Sequence, residues 1–178
     1  MKMRASLLVG ALLALSVGSL GPGSAWAETG QKVMLVHLKT SLKHDDSQIC
    51  VAYNAIWAAL EQGLKVNVLV DADGINTYKI GWLGKDSIQD YKLPEQMREV
   101  LAKQFTVPIE KVPKVYGAYL EMLREKGAAF FINQEMLVTA GLGTADSPLD
   151  RISVKWFKPV TMPELIGLRT TADYYMAY

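Results

Sequence analysis

Cysteine is nearly absent from this sequence. Cys50 is the only one in 178 residues, so no disulfide can form within the chain and the fold must hold by packing. Structural zinc sites of four cysteines, or of two cysteines and two histidines, are excluded by the same count. Histidine is equally scarce. His37 and His44 are the only two, which excludes a three-histidine metal site and leaves a hydrolytic triad little to work with. Glycine-rich phosphate loops are missing: neither GxGxxG nor GxxxxGK[ST] occurs, which argues against Rossmann-type and P-loop nucleotide sites. There is no GxSxG elbow. Asp71-Ala72-Asp73-Gly74 opens like a calcium loop but lacks the rest of the twelve-residue ligand pattern. Runs of one charge are absent as well, and with them the basic patch that nucleic acid requires.

The one long apolar run lies at the start. Met1–Ala27 has a basic head (Lys2, Arg4), an apolar stretch from Leu7 to Val17, and Ala25-Trp26-Ala27 at its end. That order is the pattern of a cleaved signal peptide, and the run is short for a membrane span. The expectation is a signal peptide over 1–27 and a single domain over 28–178. The protein would then be periplasmic or secreted, with no membrane span in the mature chain. The whole chain carries 19 Lys+Arg against 18 Asp+Glu; without Lys2 and Arg4 the balance is 17 against 18, a net charge of −1.

The remainder alternates strand and helix signals. Lys32–Leu38 is a continuous apolar, β-branched run, as expected of a strand covered on both faces. Asp45 or Asp46 can cap a helix reaching about Gln62, with Ile49, Tyr53, Ile56 and Leu60 on one face and Gly63 as its stop. Lys65–Val70 is a second buried strand, parallel to the first. Asn76–Leu93 has no clear period. Helices are predicted over Glu95–Phe105, behind Pro94, and over Lys114–Lys126, with Val115, Tyr119, Met122 and Leu123 inward. Ala128–Ile132 reads as a third strand, Asn133–Ala140 as a short helix, and Ile152–Phe157 as a fourth strand. Thr161-Met162-Pro163-Glu164 has the form of a capping box, and Asp173–Tyr178 reads as a last strand. This alternation predicts an α/β fold: five mainly parallel strands with helices on both faces.

Several of these pieces resemble the DsrE/DsrF family of small α/β proteins, the TusD- and YchN-like proteins. They are the strand VMLVHL with its polar loop at Asp45-Asp46, the helix VAYNAIWAALEQG, and the segments KVNVLVDADGIN, GAAFFINQEMLVTAGL and PELIGLRTTADYYMAY. The resemblance covers about Lys32 to Tyr178. It implies a single flavodoxin-like domain that assembles with itself into trimers or hexamers. It further implies a sulfur-related role, in which active members carry a persulfide on a cysteine just after the third strand. Here that position reads Asn133, which has no thiol. The expectation is therefore an exported protein that binds a small sulfur compound or a periplasmic partner protein without acting as a persulfide sulfurtransferase. A sulfur carrier using Cys50 and a non-catalytic oligomeric scaffold remain as alternatives. No cofactor and no metal are expected.

Ligands of open α/β sheets bind beyond the carboxyl ends of the strands. That edge gathers His44, Asp45, Asp46, Asp71, Asp73, Asn76, Asn133, Gln134 and Glu135, the candidate ligand-binding set. The competing reading makes these residues caps and turn formers. Cys50, near a helix N-terminus, is a candidate nucleophile through the helix dipole. Its competing reading is a small hydrophobe beneath Trp57. His37, inside the first strand, reads as a hydrogen-bonded core residue. The aromatic tracts Tyr78–Trp82 and Tyr174–Tyr178 are candidates for a subunit contact.

Overall fold

Five short strands pair in parallel in the spatial order β4-β3-β2-β1-β5. They are β1 (Val33–Leu38), β2 (Lys65–Val70), β3 (Ala129–Asn133), β4 (Lys158–Val160) and β5 (Tyr174–Ala177). The computed structural model describes residues 30–81, 84 and 87–178; the segment expected to be a signal peptide and Trp82 lie outside the described residues. The helices are α1 (Asp46–Glu61), α2 (Ser87–Asp90), α3 (Glu95–Gln104), α4 (Tyr116–Glu125), α5 (Gln134–Thr139) and α6 (Met162–Thr170). Among the described residues, no helix is long and apolar enough to cross a membrane.

The strand order explains how the helices are distributed. From β1 to β4 the chain steps across the sheet in one direction, and right-handed crossovers then place their helices on one face. The last step runs back from β4 past the other strands to β5, so the same handedness puts α6 on the opposite face. The burial follows this division. Val36, Leu38, Val68, Val70, Phe130 and Ile132 face a large core shared with Ile56, Leu101, Leu120 and Leu137 from α1, α3, α4 and α5. On the other face Leu35, Leu69 and Val160 pack against Leu165 of α6 in a much smaller cluster.

Helix α1 starts where the sequence puts it. The Asp45 side chain accepts from the Gln48 N–H at 3.0 Å and caps its first turn. The inward side of α4 is rotated from the expected one: Tyr116, Tyr119, Leu120 and Leu123 are buried, whereas Val115 and Met122 are only half-buried. Tyr78 is not a subunit contact. It is buried with its hydroxyl 3.0 Å from that of Tyr53 and its ring edge-on to Phe157.

The fourth strand is Lys158–Val160, not Ile152–Phe157. Ile152 forms only an isolated antiparallel bridge to Lys79. The alternating apolar residues of that segment mimic a strand because Ile152, Val154 and Phe157 are buried in the large core, but they enter it from a loop. Pro159, which cannot donate to a ladder, is tolerated because β4 is an edge strand.

Candidate functional site

At the carboxyl ends of the strands, side chains from four neighbouring strands join in one hydrogen-bonded row. Asn133 ends β3, Asp71 follows β2, His37 lies near the end of β1, and Tyr175 lies in the edge strand β5. All four face the α6 side. In the parallel register His37 sits opposite Leu69 and Ala177, so Asp71 and Tyr175 are each two residues away on its own face. Asn133 Nδ2 donates to Asp71 Oδ1 at 2.8 Å. His37 Nε2 is 3.1 Å from Asp71 Oδ2, and His37 Nδ1 is 2.9 Å from the Tyr175 hydroxyl. The Asp71 carboxyl is held down at about 2, first by His37, against the opposing effect of burial, and with further help from the Ala72 N–H and Asn133. An ionised carboxylate can only accept, so Nε2 carries a hydrogen. In the neutral ring Nδ1 is then an acceptor and Tyr175 the donor.

The row is buried at one end and open at the other. Asn133 and His37 are buried, while Tyr175 is 44% exposed, with the Arg169 guanidinium 4.7 Å from its ring centroid. The arrangement can hold a proton position along the row and present a phenol to whatever docks on the α6 side. Gly74 closes this corner. A Cβ there would stand 2.4 Å from the Leu38 carbonyl oxygen, so only glycine lets the turn after β2 lie against the end of β1.

A second cluster lies beside it. Asp73 accepts from the Ser41 N–H at 3.1 Å, pairs with His44 Nδ1 at 2.8 Å, and accepts from Asn76 Nδ2 at 2.9 Å. Ser41 foremost, with His44 and Asn76, holds its carboxyl well below the usual range despite partial burial. The structure thus joins Asp71 with Asn133, and His44 with Asp73 and Asn76, but it does not merge the nine candidates into one site. Asp45 caps α1. Asp46 lies exposed in the first turn, its carbonyl accepting from the Tyr116 hydroxyl. Gln134 reaches the Ala145 carbonyl at 3.4 Å. Glu135 accepts from the Met162 N–H at 3.0 Å, bridging the point where α5 and α6 leave the sheet on opposite faces. Asn133 also caps α5 through the Met136 N–H. Among the described residues, no three His, Cys, Asp or Glu side chains come together as a metal site.

Two members of the row, His37 and Tyr175, lie outside the candidate set. The signal for His37 is its parity: it falls on the opposite face from Met34, Val36 and Leu38. Tyr175 could be found only with the β1–β5 register.

Cys50 is 2% exposed. Burial raises its thiol pKa, the Tyr116 hydroxyl opposes that, and the Asp46 charge adds to it. Its neighbours are the tyrosines of α4, whereas Trp57 stacks on Phe105 with ring centroids 3.9 Å apart.

No family model matches the chain, and no curated protein does. Among solved structures it is similar to MTH1491, a protein of unknown function from Methanobacterium thermoautotrophicum. The identity is 12% and the TM-score 0.51, over 83% of this chain and 100% of that one. It is similar also to the YchN protein of E. coli, at 12% identity and a TM-score of 0.50, over 84% of this chain and 100% of that one. At such identities the likeness speaks for the fold: a five-stranded parallel α/β domain of the YchN-like, flavodoxin-like kind.

Proposed function

We propose that this is an exported DsrE-like protein that binds a small sulfur species, or a partner protein, in a sulfur-related process. It does so without passing sulfur through a thiol. The observation that carries this reading is the end of β3. Asn133 there is buried, caps α5 and bonds Asp71, and so anchors a polar row whose open end is the Tyr175 hydroxyl. The one cysteine among the described residues is packed away beneath α4, where a persulfide would find neither room nor a stabilised thiolate. The ligand would sit against Tyr175 and Arg169, where a phenol oxygen that already donates to His37 and can still accept meets a guanidinium cation.

Two supporting features lie outside the row. The leader sequence motivates export and a mature N-terminus at Glu28. Met162, Ile166, Tyr174, Tyr175 and Met176 are large apolar or aromatic side chains left exposed on α6 and β5, and they motivate self-association into a trimer or hexamer.

The test uses the purified native protein. After incubation with polysulfide, intact mass should show no added sulfur. Sulfide, thiosulfate and polysulfide are then screened by thermal shift, since binding to the folded state alone raises its stability. At least one should raise Tm in the parent and not in Tyr175→Phe. Sulfur added at Cys50 would overturn the reading in favour of a carrier. No response to any sulfur compound, with an intact oligomer, would favour a scaffold.

A further inference from the structure

The described cations are unevenly satisfied. Arg98 donates to the carbonyls of Ile109 and Val112, Arg124 pairs with Glu121, and Arg169 lies over Tyr175. Lys126 pairs with Glu61, and Lys155 donates to the carbonyls of Leu149 and Asp150. Arg151 is the one arginine of the described residues whose side chain has no such partner. It lines a cavity of about 310 Å³ together with Lys43 and Lys79, over Ile80, Gly141 and Leu142. None of the described residues lining this cavity is acidic.

The three cations come from three separate segments that the backbone ties into one frame. Lys43 follows Leu42, whose N–H is held at 2.8 Å by Thr77 Oγ1, two residues before Lys79. The Ile80 N–H donates to the Arg151 carbonyl at 2.8 Å, and the Arg151 N–H to the Leu142 carbonyl at 2.9 Å. Leu142 and Ile152 are buried and anchor the loop that carries Arg151. Gly141 takes φ +67, and Gly143 packs so closely on Pro148 that a Cβ would meet its carbonyl. Three carbonyls at the end of α5 are already taken: those of Met136, Leu137 and Val138 accept from the N–H groups of Ala140, Leu142 and Gly141. Three like charges held around one cavity repel each other, and an anion offsets that cost. The overall charge does not explain the cluster, because the chain is close to neutral.

We infer that this cavity is an anion site for a small molecule carrying a doubly charged oxyanion of the phosphate or sulfate type. Lys43, Lys79 and Arg151 would be its ligands. Arg151 offers the paired N–H groups that match two oxygens, and the lysines supply point charge. Ile80 and Leu142 leave an apolar floor for a small organic body, and the volume falls at the lower end of small-molecule sites. The site shares no residue with the Tyr175 row, so it can stand or fall independently of the proposed function.

The experiment is isothermal titration of the full chain with inorganic phosphate, sulfate and thiosulfate at fixed ionic strength, with chloride as the control. Saturable binding of at least one divalent oxyanion is expected, and none of chloride. K79Q/R151Q should weaken it about ten- to a hundredfold, the range for losing charge-assisted hydrogen bonds. Lys43→Gln, on an exposed side chain, provides the same reading if the double variant does not fold. Preference for phosphate points to a phosphorylated ligand; preference for sulfate or thiosulfate points to a sulfur oxyanion. Binding that Tyr175→Phe abolishes and K79Q/R151Q leaves intact would place the anion at the sheet edge and overturn the inference. So would unchanged affinity in Lys43→Gln and K79Q/R151Q together, or no binding of any of the three oxyanions.

Discussion

The two faces of the sheet are built to different standards. The face under α1 to α5 is closed by aromatic and aliphatic packing: Tyr53 makes edge-on contacts with Tyr116 and Tyr119, and Phe130 packs against Trp156 and Phe157. Its buried polar groups are few, and the Tyr119 hydroxyl has no hydrogen-bond partner among the described residues. The face under α6 has a small apolar cluster, a row of polar side chains along its carboxyl edge, and an edge strand whose four residues are all exposed. The handedness of the crossovers creates the difference, since a single helix cannot cover five strands. Apolar packing is concentrated on the first face, and the polar row together with the exposed apolar side chains of α6 and β5 lies on the second.

The largest test of this contrast is a pair of truncations. Ile56→Ala, in the tight face, should cost about 3–5 kcal/mol in urea unfolding, and Leu165→Ala, under α6, nearer 2 kcal/mol, at opposite ends of the range for such changes. Equal losses would mean that the two faces are packed alike.

Asp71→Asn should come next, at about 1–3 kcal/mol, because His37 and Asn133 both lose an ionised acceptor. It also has a pH signature. The folded carboxyl titrates at about 2, below its ordinary value of 3.8, so the unfolded state binds more protons on the acid side. The stabilisation is complete above the unfolded value and is lost as pH falls through the folded one. Unfolding followed between neutral pH and the acid limit should show that slope in the parent and a shallower one in Asp71→Asn, with Asp73 supplying part of what remains.

Cys50→Ala should cost about 1 kcal/mol through a small cavity, and Cys50→Ser less than an unpartnered buried hydroxyl would, because Tyr116 is within reach. Alkylation of native Cys50 should be slow at neutral pH. Rapid labelling would show that the tight face opens there.

The smallest effect on stability is expected at Ile166→Lys, within about 0.5 kcal/mol, since the side chain is exposed. Its effect should instead appear in light scattering as a smaller assembly. An unchanged mass would move the subunit contact away from α6.

Much of this was legible in the residues. Mainly apolar runs mark β1, β2 and β3, because a strand buried on both faces is apolar at most positions; His37, Asn67 and Asn133 are the buried polar exceptions. Asp45 and the Thr161–Glu164 pair mark helix starts, because the first N–H groups of a helix need acceptors close in sequence; Glu164 accepts from the Thr161 N–H at 2.9 Å. These are local rules, and the strand–helix alternation follows from them. What depends on distant partners was not legible. Ile152–Phe157 alternates like a strand, yet its apolar residues serve a core reached from a loop. The row from Asn133 to Tyr175 depends on a register between segments up to 138 residues apart, and the trio Lys43, Lys79 and Arg151 on backbone bonds that fold one loop against another. By itself the sequence determined where β1, β2, β3 and the main helices form, though not β4, and that one cysteine and two histidines must suffice. Only the tertiary structure decided which side chains meet, because pairing across a sheet is set by strand order and register, to which no single segment holds the information.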